Sequence, residues 1–269
     1  MKVELHTRSF NDAHMLPFFF RHYDSIVDSY FVYDDGSTDG TVEALAGRPK
    51  VLLRPRPSYA DPDSHVRSSQ VLLDSVWKES RGRADWVIVT DIDEHLHHPD
   101  LPGYLRRLQG EGVTLIPALG FQMLSEDFPA PDQKLCRAIT RGAPASMMNK
   151  LSLFSPDAID ETNFAVGRHA AKPTGRVVLP RRDELMLLHY KYLGFERTLR
   201  RHEAYQRRRR TQDVARGWGH KYAWSRRRLR RDWAELEAGA VDISHPALDL
   251  DRLHPGPHWW SGFPRVGAG

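Results

Sequence analysis

The sequence predicts an α/β protein built on a mostly parallel sheet with helices packed on its faces. Three observations lead there. Strand and helix signals alternate through residues 1–120. Residues 85–90 form a short, continuously apolar strand of the kind buried on both faces. Two acidic motifs follow strands directly, and parallel sheets bind ligands beyond the carboxyl ends of their strands.

Each element has its own local signal. Residues 2–7 alternate polar and apolar side chains, the period of a strand. Asn11-Asp12 offers a cap for a helix carrying Met15, Leu16, Phe18 and Phe19. The aromatic, β-branched stretch 29–33 reads as a strand entering the turn Asp34-Asp35-Gly36-Ser37-Thr38-Asp39-Gly40. A helix is expected from Thr41 and a strand at 51–53. The spacing of Val66, Val71, Leu72, Val76 and Trp77 predicts a long helix over 64–80. After the strand at 85–90, the cluster His95-Leu96-His97-His98 reads as a loop, 101–108 as a helix and 113–116 as a strand. Proline and glycine punctuate 117–180, and 184–191 is one more apolar strand. Arg-rich helices are expected over 195–210 and 221–237, before an extended tail from His245. Residues 1–120 thus form an α/β half, 121–194 a second half of the same domain, and 195–269 an Arg-rich helical extension with its tail.

Composition narrows the function classes. With 40% hydrophobic and 28% charged residues the chain is globular, not disordered. No run is long enough to span a bilayer, and the N-terminus enters a strand pattern without a signal-peptide core. The single cysteine, Cys136, excludes an intramolecular disulfide, reads as a small buried apolar side chain and fits a reducing, cytoplasmic setting. Net charge is +4, yet residues 197–231 hold 14 Lys/Arg against 2 acids, so the rest of the chain is acidic.

The chemistry centres on Asp91-Ile92-Asp93, whose carboxylates share one side of an extended segment. Two hard oxygen ligands can hold Mg²⁺ or Mn²⁺ while leaving positions for phosphate oxygens. The same spacing recurs at Asp61-Pro62-Asp63 and Asp249-Leu250-Asp251, but only the copy at Asp91 ends a buried strand; the others read as solvated loops. In the Asp34–Gly40 turn, Ser37, Thr38 or Asp39 can cap the next helix, and the glutamate spacing of a calcium loop is missing.

Taken in order, Thr7-Arg8-Ser9-Phe10-Asn11, Tyr33-Asp34-Asp35-Gly36-Ser37-Thr38-Asp39-Gly40-Thr41 and Val89-Thr90-Asp91-Ile92-Asp93-Glu94 resemble the family-two glycosyltransferases of GT-A (Rossmann-like) fold. The bacterial branch with a D-x-D-E motif and a later His-Tyr-Lys, here His189-Tyr190-Lys191, is the nearest likeness. The resemblance covers residues 1–120 well and thins afterwards. It implies that the first half binds a nucleoside-diphosphate sugar and that 121–194 faces the acceptor. Asp35 would bond the base, Arg8 and Phe10 would line the base and ribose pocket, and Arg67 would approach the diphosphate. Asp91 would contact ribose or metal-bound water, Asp93 would bind Mn²⁺ or Mg²⁺ directly, and Glu94 would brace the motif. His189 would be a further metal ligand, ahead of His169 and of the His95–His98 cluster.

The implied reaction displaces a nucleoside diphosphate from a sugar, with inversion as the family's usual outcome. An inverting transfer needs a carboxylate base for the acceptor hydroxyl. Asp127 and Glu126 lead the candidates, followed by Asp160 and Glu161. The acceptor is unspecified: an anionic saccharide, a lipid-linked sugar or a small molecule. The Arg-rich segment favours a solvated face or an anionic surface, including peripheral contact with a membrane, over nucleic acid. The rival readings are a nucleotidyltransferase on a similar sheet, whose usual glycine- and basic-rich loop is replaced here by Asn11-Asp12-Ala13, and a nucleic-acid-binding module.

Overall fold

A computed structural model describes residues 1–267; the last two residues of the tail, 268–269, lie outside it. The strands are β1 (Val3–Ser9), β2 (Ser29–Asp34), β3 (Val51–Pro55), β4 (Trp86–Val89), β5 (Glu94–His97), β6 (Leu115–Ser125), β7 (Arg141–Pro144), β8 (Lys150–Phe154), β9 (Ile159–Glu161), β10 (Thr174–Gly175), β11 (Met186–Leu193) and β12 (Val241–Asp242). The helices are α1 (Leu16–Tyr23), α2 (Thr41–Ala46), α3 (His65–Ser75), α4 (Leu101–Gly110), α5 (Leu135–Ala138), α6 (Phe195–Arg208), α7 (Thr211–Ala215), α8 (Arg226–Ala238) and α9 (Leu250–Leu253).

A central mixed sheet runs in the order β12-β7-β6-β8-β4-β1-β2-β3, with β11 and β5 attached beside β6. Its β4-β1-β2-β3 portion is entirely parallel, with Leu5 opposite both Tyr30 and Ile88. Helices flank the sheet, consistent with the GT-A, Rossmann-like arrangement implied by the sequence. β4 shows why its apolar run is unbroken. Trp86 and Ile88 join the core beneath Phe18, Phe19 and Phe20 of α1, while Val87 and Val89 join the opposite cluster with Trp77 and Phe154. At roughly 1.5–3 kcal/mol per buried large apolar side chain, these two layers dominate the stability of the sheet.

Three local expectations need correction. Asp12 does not cap α1, which begins at Leu16 behind Met15 with no side-chain cap. Its carboxylate instead turns back onto the Phe10 amide at 3.0 Å. His95-Leu96-His97 is not a loop but most of β5, paired antiparallel with β11. His95 is fully buried and stacks on His22 at 4.5 Å within the core. The tail is not simply extended either. Trp260 is buried, its indole donates to Asp183 at 2.9 Å, and Arg265 bonds the same carboxylate.

The organisation along the chain also differs in detail. Residue 120 falls inside β6, so the two halves share one strand and one sheet. α6 does not project away from the first half. Its Arg201 reaches Asp12 at 2.7 Å and its Arg208 reaches Asp35, laying the helix across the ends of β1 and β2.

Candidate active site

The site forms where β1, β2 and β4 end. Beyond β4 the chain makes a tight turn, with the Glu94 amide donating to the Asp91 carbonyl at 3.0 Å. Ile92 is buried, which anchors the turn between the two aspartates. β5 then pairs with β11 so that His189 stands opposite Glu94. The Tyr190 amide bonds the Asp93 carbonyl at 2.7 Å. This register carries His189 to the D-x-D from nearly a hundred residues away.

Each acid has its own partners. Glu94 is buried and accepts from Lys150 at 2.5 Å and from Arg168. Burial alone would raise its pKa, but Lys150 and Arg168 outweigh burial and hold the carboxyl well below its usual range. Asp91 accepts from Arg8 Nε at 2.9 Å, with Arg168 3.7 Å away. Burial is again outweighed, chiefly by Arg8, and the pKa is lowered. Asp93 Oδ2 lies 3.6 Å from His189 Nε2 and 4.0 Å from Arg201. His189 and Arg201 overcome burial there and keep Asp93 ionised.

Arg168 holds the turn from below. It follows Gly167 in a short helical turn, and both residues have positive φ, 58° and 71°. A Cβ at Gly167 would lie 2.6 Å from the His169 ring, and its φ of 71° also favours glycine. The Arg168 guanidinium donates to the Val89 carbonyl at 2.6 Å as well as to Glu94.

The donor set suits a divalent cation. Asp93 Oδ2 and His189 Nε2, 3.6 Å apart, can be bridged by one ion with bonds of about 2.1 Å. Among the described residues no cluster of three or more His, Cys, Asp or Glu is ready to hold an ion. Asp93 and His189 would by themselves leave most of an ion's coordination shell to other oxygens. Asp91, engaged by Arg8, is the less available of the two aspartates.

A second cluster of charged and aromatic side chains gathers at Asp35, where β2 ends. Asp35 is bound by Arg56 at 2.5 Å, by the Tyr59 hydroxyl at 2.9 Å and by Arg208, with His65 at 3.6 Å. Burial raises its pKa, but the guanidinium groups of Arg56 and Arg208 win and the net shift is downward. The Arg208 guanidinium also sits 3.5 Å over the Phe10 ring, and Tyr205 meets that ring edge-on. Phe10 and Asp35 are thus brought together, with Arg208 on both.

The remaining candidates lie elsewhere. Arg67 is exposed and bonds Gln70 on its own helix; Arg8 is the arginine at the D-x-D. Asp127 and Glu126 are exposed just past β6, and Glu126 lies 3.7 Å from Arg230. Asp160 is exposed, and Glu161 pairs with Lys78 at 2.6 Å. His169 bonds the Met147 carbonyl at 2.5 Å, while its neighbour Arg168 enters the site.

Several site residues escaped sequence reasoning: Asp12, Lys150, Arg168, Lys191, Arg201 and Arg208. Asp12 is buried and accepts from Arg201; burial, with Asp93 nearby, pushes its pKa up against the pull of Arg201. Lys191, its ammonium 4.7 Å from the Tyr222 ring centre, is pushed down to about 8, mainly by burial. Its place in His-Tyr-Lys, two residues past His189, was the one local signal for it.

No family model matches the chain, and no curated protein does. Solved structures similar to it include the crystal structure of S. aureus TarS, 12% identical with a TM-score of 0.33 over 58% of this chain and 28% of that one. The crystal structure of S. aureus TarS 1–349 is 13% identical, with a TM-score of 0.31 over 58% of this chain and 47% of that one. The chain spans less than half the length of either. Likenesses this weak say nothing of donor, acceptor or metal.

Proposed function

We propose that this chain is a metal-dependent glycosyltransferase that moves a sugar from a nucleoside-diphosphate donor to an acceptor. One observation carries the reading: Asp93, ending a parallel-sheet turn, faces His189 at 3.6 Å beside a second carboxylate and a ring of cations. That set suits a polyanionic leaving group approached by a cation. The adjoining Phe10–Asp35 cluster holds an aromatic ring and a carboxylate, groups that suit a nucleobase once Arg208 is displaced from them.

Asp93 and His189 would hold Mn²⁺ or Mg²⁺, which supplies charge stabilisation to the departing diphosphate. The rest falls to the chain itself. Glu94 fixes the turn through Lys150 and Arg168. Arg8 orients Asp91, and Arg201 and Lys191 add positive charge beside Asp93. Arg67, exposed at the start of α3, would approach the diphosphate from outside this cluster. Asp127 or Glu126, exposed at the end of β6, would take the acceptor proton in an inverting transfer.

A panel of nucleotide sugars with Mn²⁺ or Mg²⁺, scored for diphosphate release, tests the reading. Release that is lost in Asp93→Asn and His189→Ala supports it. No release, together with no metal-dependent binding of uridine, guanosine or thymidine diphosphate, overturns it.

A further inference from the structure

Among the basic residues of 197–231, Lys221, Arg226 and Arg230 pair with Asp232, Glu196 and Glu126. Arg201 and Arg208 face inward to Asp12 and Asp35. Arg200, Arg207, Arg216, Arg227, Arg228 and Arg231 are exposed, and none has a carboxylate within ion-pair distance among the described residues. Unpaired like charges this dense repel one another, and a surface that keeps them is complementary to an extended anion.

The apolar residues of the segment tell which kind of anion. Val214 on α7 is 58% exposed, one of four large apolar side chains so exposed among the described residues. Trp218 and Trp224, in the stretch between α7 and α8, are half-buried. Along this turn the His220 amide bonds the Gly217 carbonyl at 3.3 Å, and the His220 ring packs 5.9 Å from Trp224. Arg216 lies over Trp218 at 5.1 Å, and Lys221 and Arg228 over Trp224 at 4.8 and 5.0 Å. Exposed aliphatic carbon, tryptophan and unpaired arginine together suit a lipid headgroup region.

We propose that the surface formed by α7, the turn following it and α8 docks on an anionic phospholipid bilayer. Arg216, Arg227, Arg228 and Arg231 meet the headgroup phosphates, and Val214, Trp218 and Trp224 sit at the interface. No helix of the described residues is long and apolar enough to cross a membrane, so the contact is peripheral. The surface adjoins the candidate active site, because Tyr222 stacks on Tyr205 at 5.0 Å and lies beside Lys191. A lipid-held acceptor would therefore be presented to it, a consequence that rests on the glycosyltransferase reading; the docking itself does not.

The test is co-sedimentation of the full chain with vesicles of phosphatidylcholine alone or mixed with phosphatidylglycerol. Binding is expected only with phosphatidylglycerol, weakening as salt rises. The triple variant R227E/R228E/R231E should reduce partitioning on the order of 100-fold. Val214→Asp should weaken binding that persists at high salt, with thermal melts of both variants unchanged because the residues are exposed. Equal sedimentation of wild type and triple variant, or none with phosphatidylglycerol, overturns the proposal. So does tighter, charge-reversal-sensitive binding to an oligonucleotide than to vesicles. Loss of diphosphate release with vesicle binding intact counts against the enzyme reading and leaves the docking surface standing.

Discussion

Replacing Arg208 by alanine separates stability from ligand binding at the Phe10–Asp35 cluster. Arg208 is 16% exposed and Asp35 6%, so their ion pair is well desolvated. Removing one partner of a buried pair costs about 3–5 kcal/mol when the other is left alone. Asp35 is not left alone, since Arg56 at 2.5 Å and Tyr59 at 2.9 Å remain. The loss should then be nearer that of one charge-assisted hydrogen bond, about 1–2 kcal/mol, which lowers Tm by roughly 2–8 °C. Nucleotide affinity should move the other way. A base that stacks on Phe10 must displace a guanidinium lying 3.5 Å over the ring, and that cost disappears in the variant. Nucleoside diphosphate should bind roughly 5–30-fold tighter, read by calorimetric titration with Mn²⁺ present. Arg208→Lys, which keeps the charge but loses the flat stack, should fall between. Weaker or unchanged binding by a folded Arg208→Ala protein would refute the reasoning, placing Arg208 among the nucleotide's own contacts or the base elsewhere.

Other outcomes rest on the same geometry. Glu94→Gln strips the counter-charge from Lys150 and Arg168, both nearly inaccessible, and should cost about 3–5 kcal/mol, on the order of 10 °C in a melt. Asp93→Asn should abolish the metal-dependent Tm rise caused by nucleoside diphosphate, measured against that variant's own ligand-free melt, whereas Asp63→Ala, in an exposed loop, should leave that rise intact. Buried His6, stacked on Phe31 at 4.5 Å, is pushed down to about 3 by burial. The unfolded chain takes up that proton near pH 6.5 and the native chain does not, so the stability His6 lends is full above pH 6.5 and lost as pH falls toward 3. Between pH 7 and 5 this amounts to about 2 kcal/mol. His6→Gln should flatten the pH dependence of urea unfolding by that much, and an unchanged slope would count against a neutral buried histidine.

Most of the first half was legible because its signals are local. Apolar runs, the Ser64 cap that accepts from Arg67, and the turn after Asp34 all act within a few residues. β5 was missed because His95 and His97 carry no β-branched signal; the strand exists by pairing with β11, some ninety residues later. β6 runs from Leu115 to Ser125, beyond the predicted stop at Ile116, because Pro117 sits where the ladder with β8 shifts register and so breaks no repeating bond. α6 ends at Arg208 and its basic face turns inward, since the acids it meets, Asp12 and Asp35, come from the other end of the chain. Composition could count those charges but not pair them.

The candidate site divides in the same way. Asp91, Asp93 and Asp35 were readable because a carboxylate at a strand end is a local pattern. The cations of Asp91 and Asp93 were less so, because Arg168 and Arg201 arrive from a glycine turn and α6, as Lys150 of β8 arrives at Glu94. Arg168 makes the point energetically. A non-glycine residue at φ 58° is costly, about 1–2 kcal/mol, and nothing in Val166-Gly167-Arg168 itself offsets it. The stabilisation comes from the guanidinium's reach to the Val89 carbonyl, Ser152, Glu94 and Asp91, from three different strands and the turn between two of them. Such strain persists only where the surroundings over-determine it. The residue that fixes the geometry of the D-x-D turn is therefore one whose own segment argues against its conformation, and only the assembled sheet supplies the reason for it.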